Sequence, residues 1–113
     1  IRAADILKLS GEEAYALTGE RDAATSALTL SGGVKTVFVT LGERGAVAAA
    51  GGKCIFAPAR RIKVVDTTGA GDAFFAAALL ALSRGKSVSD ALISGTEAGA
   101  LAAMTPASVL SAD

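Results

Sequence analysis

The sequence predicts an α/β layered fold with a mainly parallel sheet that carries one antiparallel hairpin. Three observations lead there. Short apolar or β-branched runs alternate along the chain with stretches of helical pattern, the arrangement of strand–helix units. The run Lys35-Thr36-Val37-Phe38-Val39-Thr40 is β-branched and almost unbroken, as expected of a strand buried on both faces. Two alternating segments, Ala46 to Ala50 and Lys53 to Ala57, flank Gly51-Gly52, a two-residue hairpin signal.

The elements follow in order. Asp5 to Leu9 reads as a strand that meets a turn at Ser10-Gly11. Ser10 then caps a helix whose first turn holds Glu12 and Glu13, where the helix dipole favours negative charge. That helix runs to Thr18 and stops at Gly19. A second helix fits Asp22 to Ser31, ended by Gly32-Gly33. After the buried strand, Gly42 and Gly45 bracket a tight turn that leads into the hairpin, and Ile62 to Val65 forms another short strand. From Ala70 to Ser83 the sequence is apolar all round, so the helix there should be buried on every side and end at Gly85. The last helix spans Ser89 to Met104, capped by Ser89 and stopped before Pro106. No repeat or low-complexity linker interrupts the chain, so residues 1–113 read as one domain region.

Composition narrows the function. Eleven Lys and Arg balance eleven Asp and Glu, which removes the basic excess that a nucleic-acid or membrane-surface partner usually needs. Arg60, Arg61 and Lys63 read as a solvated strand face. With no histidine, Ser-His and Cys-His catalysis and most zinc sites are excluded. A single cysteine, Cys54 in an apolar stretch, forms no intrachain disulfide and suits a reducing cytoplasm. The longest apolar run, Ala73 to Leu82, is too short to span a bilayer. The start at Ile1-Arg2-Ala3, without methionine or signal-peptide pattern, gives the expectation of a chain cut at its beginning.

The chemistry concentrates at Asp66-Thr67-Thr68-Gly69-Ala70-Gly71-Asp72. A strand ends at Val65 and a helix begins near Gly71. Glycines let the backbone come close to a ligand, and the first N–H groups of the helix lack internal acceptors, so they suit an anion. Asp72 falls in that same first turn. A carboxylate beside an anion site is placed to take a proton from a hydroxyl attacking a phosphoryl group. Asp66, six residues earlier, is a second carboxylate suited to a cation. Gly-Ala-Gly-Asp alone is ordinarily a tight turn with an acidic first-turn residue; its placement between a strand and an entirely apolar helix argues for more. Gly85-Lys86-Ser87 is not a phosphate-binding P-loop, because the upstream glycine position is Leu80 and a helix precedes it. Nor is Gly69-Ala70-Gly71 a dinucleotide fingerprint, since Phe74 stands at the third glycine position.

Asp66 to Phe74 resembles the C-terminal signature of the ribokinase-like (PfkB) carbohydrate kinases. Lys8-Leu9-Ser10-Gly11-Glu12-Glu13-Ala14 with Leu17-Thr18-Gly19 resembles that family's Asn-x-x-Glu segment, and Val39 to Ala46 resembles its nucleotide-binding strand and turn. The resemblance covers nearly the whole chain and implies a ribokinase-like three-layer α/β/α fold, of which residues 1–113 are the C-terminal, ATP-binding part. It implies that Asp72 is the base, that Gly69, Ala70 and Gly71 supply the anion hole, and that Thr40, Gly42 and Gly45 lie along ATP, with Glu97 near adenine. Glu13 would organise Mg2+, and Asp66 and Thr68 a K+ ion. Ser10 stands in place of the family's asparagine, Glu97 in place of a smaller or neutral residue, and Thr105-Pro106-Ala107-Ser108 lacks the usual Gly-Ala turn. The function implied is phosphorylation of a sugar hydroxymethyl group by ATP in the cytoplasm, with fructose, ribose or 2-keto-3-deoxygluconate as acceptor. A homodimeric full-length protein is compatible with it. The alternatives are a nucleoside or pseudouridine kinase of the same family, or a non-catalytic nucleotide-binding relative.

Overall fold

The computed structural model describes residues 5–59 and 69–104. The expected strand Ile62 to Val65 and the residues Asp66, Thr67 and Thr68 lie outside that set, as does the tail after Met104. The chain divides into two compact units, Ile1–Pro58 and Ala59–Asp113.

The first unit is a four-stranded mixed sheet with two helices. Strands β1 (Ile6–Ser10), β2 (Thr36–Thr40), β3 (Ala46–Ala50) and β4 (Lys53–Ala57) lie side by side in chain order. β1 and β2 are parallel, pairing Ile6 with Thr36 and Ser10 with Thr40. The pairs β2–β3 and β3–β4 are antiparallel, with Val39 opposite Val47 and Ala50 opposite Lys53. The link between β1 and β2 contains α1 (Gly11–Thr18) and α2 (Ala23–Leu30), because parallel neighbours require a crossover.

Local chemistry accounts for the boundaries. Ser10 and Glu13 form a reciprocal capping box: the Glu13 N–H donates to Ser10 Oγ at 3.1 Å, and the Ser10 N–H donates to Glu13 Oε1 at 2.8 Å. Left-handed Gly19 closes the helix by donating to the Tyr15 carbonyl at 2.8 Å. Asp22 caps α2 by accepting from the N–H and the hydroxyl of Thr25. The hairpin turn Gly51-Gly52 has φ of 58° and 78°, both positive, as a tight two-residue turn demands.

Side-chain alternation divides the sheet. Leu9, Val37, Val39, Val47 and Ala49 pack with Ala14 of α1 and Ala27 of α2 into one cluster. Ile6, Phe38, Ala46 and Ala48 point to the opposite face and are buried as well, Phe38 completely. The continuous run in β2 is thus covered on both faces, as its composition requires.

Beside this core sits a small polar ring. Ser26, 1% exposed, donates from Oγ to the Glu20 carbonyl at 2.9 Å and lies 2.8 Å from Thr18 Oγ1, which accepts from the Glu20 N–H at 3.1 Å. Thr18 Oγ1 also approaches the Ala14 carbonyl at 2.8 Å. Two hydroxyl protons serve three acceptors here. If Thr18 donates to Ser26, the chain Glu20 N–H, Thr18, Ser26, Glu20 C=O closes on itself and leaves the Ala14 carbonyl to its helical partner. This ring ties the end of α1 to α2.

The second unit is a helix pair, α3 (Ala70–Ser83) and α4 (Val88–Met104). The end of α3 is a Schellman motif: the Lys86 N–H donates to the Ala81 carbonyl and the Gly85 N–H to the Leu82 carbonyl, both at 3.0 Å. Two expectations are corrected here. The cap of α4 is Ser87, whose Oγ accepts from the Asp90 N–H at 3.0 Å, so the helix starts two residues earlier than a Ser89 cap would allow. And α3 is not buried on every side. Phe74, Ala78, Ala81 and Leu82 are buried, while Leu80 is 51% exposed. A two-helix unit covers one stripe of each helix, and composition alone cannot say which stripe. Among the described residues no helix is long and apolar enough to cross a membrane.

Candidate functional site

The N-terminal turn of α3 carries the central candidates. Gly69 precedes the helix with φ 82° and ψ −4°, a left-handed conformation that a residue with a Cβ adopts only at a cost. The first helical hydrogen bond runs from the Ala73 N–H to the Gly69 carbonyl at 2.9 Å. The N–H groups of Ala70, Gly71 and Asp72 therefore precede the helical ladder and face outward from its positive end. Asp72 sits in this turn with its side chain exposed. The expected neighbours Asp66 and Thr68 lie outside the described residues.

Helix α4 backs the turn closely. A Cβ on Gly99 would lie 3.3 Å from the Ala70 carbonyl oxygen, and one on Gly95 would lie 2.9 Å from two atoms of the buried Phe74 ring. These glycines let the two helix axes approach. Glu97 is exposed and stands roughly 200° around α4 from each of them, on the side away from α3.

The remaining candidates belong to the first unit. Thr40 ends β2, half-buried, with Oγ1 at 3.4 Å from the Leu9 carbonyl. A single 3-10 turn, Gly42–Arg44, follows it. Gly42 (φ 60°) and Gly45 (φ 109°, ψ −143°) both use backbone conformations open chiefly to glycine, and the Leu41 N–H closes the loop onto the Gly45 carbonyl at 2.8 Å. Thr40 and Gly42 share an open groove of about 540 Å³ with Ser10, Tyr15, Arg21 and Arg44. Arg21 lies over the Tyr15 ring, 4.6 Å from its centroid. The sequence offered a signal for Arg44, which falls inside the Thr40 to Gly45 motif, but none for Tyr15 and Arg21. Their pairing depends on how α1 turns into α2.

Glu13 is exposed at the start of α1. The Ser10 backbone N–H, with smaller help from the Ser10 hydroxyl and Lys8, holds its carboxyl below the usual carboxylate range. It is thus ionised at neutral pH, with Oε1 engaged and Oε2 outside the capping box. Serine serves here as asparagine would, since both cap helices through a short side-chain oxygen. Among the described residues no group of three or more Cys, Asp or Glu side chains gathers as a metal cage.

Comparison with known proteins decides the family. The model of the pfkB family carbohydrate kinases matches residues 1–112. The chain belongs to that family. It is 41% identical over 81 residues to a fructokinase of Klebsiella pneumoniae, covering 70% of this chain and 26% of that enzyme. An aminoimidazole riboside kinase of Salmonella typhimurium is 39% identical over 93 residues, covering 80% and 28% of the two chains. The crystal structure of a Thermotoga maritima ribokinase superposes with a TM-score of 0.79 at 36% identity, over 89% of this chain and 36% of that one. This pfkB chain therefore spans about a quarter to a third of the length of these relatives, and its α/β fold is that of the ribokinase-like kinases.

Proposed function

We propose that this chain is the C-terminal, ATP-binding part of a carbohydrate kinase that phosphorylates a hydroxymethyl group of a sugar. The observation that carries this reading is the first turn of α3, where left-handed Gly69, three outward N–H groups and exposed Asp72 stand within four residues. Asp72 takes the proton of the acceptor hydroxyl as its oxygen attacks the γ-phosphorus. The bond from that phosphorus to the β–γ bridging oxygen breaks, and ADP leaves. The N–H groups of Ala70 and Gly71 hold the phosphoryl oxygens as charge shifts onto them.

Thr40, Gly42 and Gly45 line the nucleotide in this reading, and Glu97 stands near adenine. Mg2+ supplies charge neutralisation on the phosphates. Glu13, ionised and single-handed, suits contact with its water shell rather than a cage. Asp66 and Thr68 are assigned to K+. In this reading the full-length protein works in the cytoplasm as a homodimer.

Fructose, ribose and 2-keto-3-deoxygluconate are the leading acceptors. A nucleoside-type acceptor is the second reading, favoured by the similarity to an aminoimidazole riboside kinase. The test is ADP release by the full-length protein across a panel of these sugars and ribosides. Turnover with one of them supports the reading; ATP binding without turnover on any would point to a non-catalytic relative. Residues 1–113 alone are expected to turn over no sugar.

A further inference from the structure

Helix α4 meets the backbone of the α3 turn at Gly99, against a peptide that the proposed chemistry uses. An ideal Cβ at Gly99 would sit 3.3 Å from the Ala70 oxygen and 3.7 Å from the Phe74 Cβ. The Ala70 carbonyl and the Gly71 N–H belong to a single planar peptide, so they move together. The α4 backbone at Gly99 thus supports, from behind, the N–H that faces outward from the turn beside Asp72.

We infer that Gly99 is a positioning residue for phosphoryl transfer, setting the direction of the Gly71 N–H through the Ala70 carbonyl. The inference rests on the kinase reading above. Gly95, one helical turn earlier, provides an internal comparison. Its missing Cβ would strike the Phe74 ring at 2.9 Å, where 4% exposure leaves little room to yield, and its three nearest atoms all belong to that ring. Crowding at 95 loads the helix interface, whereas crowding at 99 displaces the donor. At 3.3 Å the neighbour must give by a few tenths of an ångström, and the neighbour here is backbone. If a 1 Å misplacement costs about 10²-fold in rate, a shift of this size costs about 3–10-fold.

The experiment is steady-state kinetics and thermal melting of the full-length enzyme bearing Gly99→Ala, Gly95→Ala or Asp72→Asn. Gly99→Ala should lower kcat about 3–10-fold with KM for ATP moving less than about twofold and Tm unchanged or raised. Gly95→Ala should lower Tm and leave kcat near the parent value. Unchanged kcat in Gly99→Ala overturns the inference, and so does a kcat loss that comes with lower Tm or weaker ATP affinity, because Gly99 would then act through packing alone. Parent-like kcat in Asp72→Asn would instead sink the kinase reading on which the inference stands.

Discussion

Replacing Gly69 isolates what the left-handed start of α3 is worth. Among the described residues an ideal Cβ at that position meets nothing within 4 Å, so the cost worked here is the local backbone strain at φ 82°. For alanine the left-handed conformation costs about 1–2 kcal/mol. Restricting the unfolded chain returns about 0.4–1 kcal/mol. The net loss for Gly69→Ala is therefore about 1 kcal/mol, or a Tm lower by roughly 2–4 °C in a chain of a few hundred residues. Asparagine tolerates the left-handed region and should lose less; a β-branched valine should lose more. Melting the four full-length proteins gives the ranking Gly, Asn, Ala, Val from most to least stable. An alanine variant at least as stable as the parent, or a valine variant no worse than alanine, would refute the reasoning. Kinetics add a second axis, since relief of the strain moves the turn and should depress kcat more than it raises KM for ATP.

Three further outcomes follow from the first unit. Ser10→Ala removes both the side-chain cap and its share in the capping box, lowering stability by about 1 kcal/mol in urea unfolding; no change would mean the box is not formed in solution. Glu13 has a folded pKa below its ordinary 4.5, so its contribution is present above that value and fades as pH falls through the lowered one. Glu13→Gln should flatten the stability profile as pH falls below the ordinary 4.5, and a parent-like acid slope would count against it. Ser26→Ala opens the hydroxyl ring and strips the Glu20 carbonyl of its donor, at about 1–3 kcal/mol; an equally stable variant would show that water replaces it.

What could be read from the sequence was what local chemistry decides. Ser10, Glu13 and Gly19 bound α1 through contacts three and four residues apart, and Gly51-Gly52 sets the hairpin register, so those limits were visible in the residues themselves. The cap of α4 was misread because Ser87 and Ser89 are equal candidates by type. The choice falls to Ser87 only once its Oγ meets the Asp90 N–H. The burial of α3 was overestimated for a different reason: an all-apolar helix has no polar face to mark which side packs. The glycines of α4 showed the same limit. In sequence Gly95 and Gly99 are two weak helix formers, and only the distance to Phe74 and the Ala70 carbonyl reveals why small residues stand there. At the site, Gly69 to Asp72 announced its turn, while Tyr15 and Arg21 beside Thr40 come together only through the turn between α1 and α2.

The most direct test of phosphoryl transfer at the start of α3 is the rate of the full-length enzyme with Asp72→Asn. The amide keeps the shape of the side chain and removes its capacity to take a proton. With a turned-over sugar and saturating ATP, kcat should fall by about 10²–10⁴ while the affinity for ATP changes far less. A variant that phosphorylates the same sugar at near the parent rate would contradict the account.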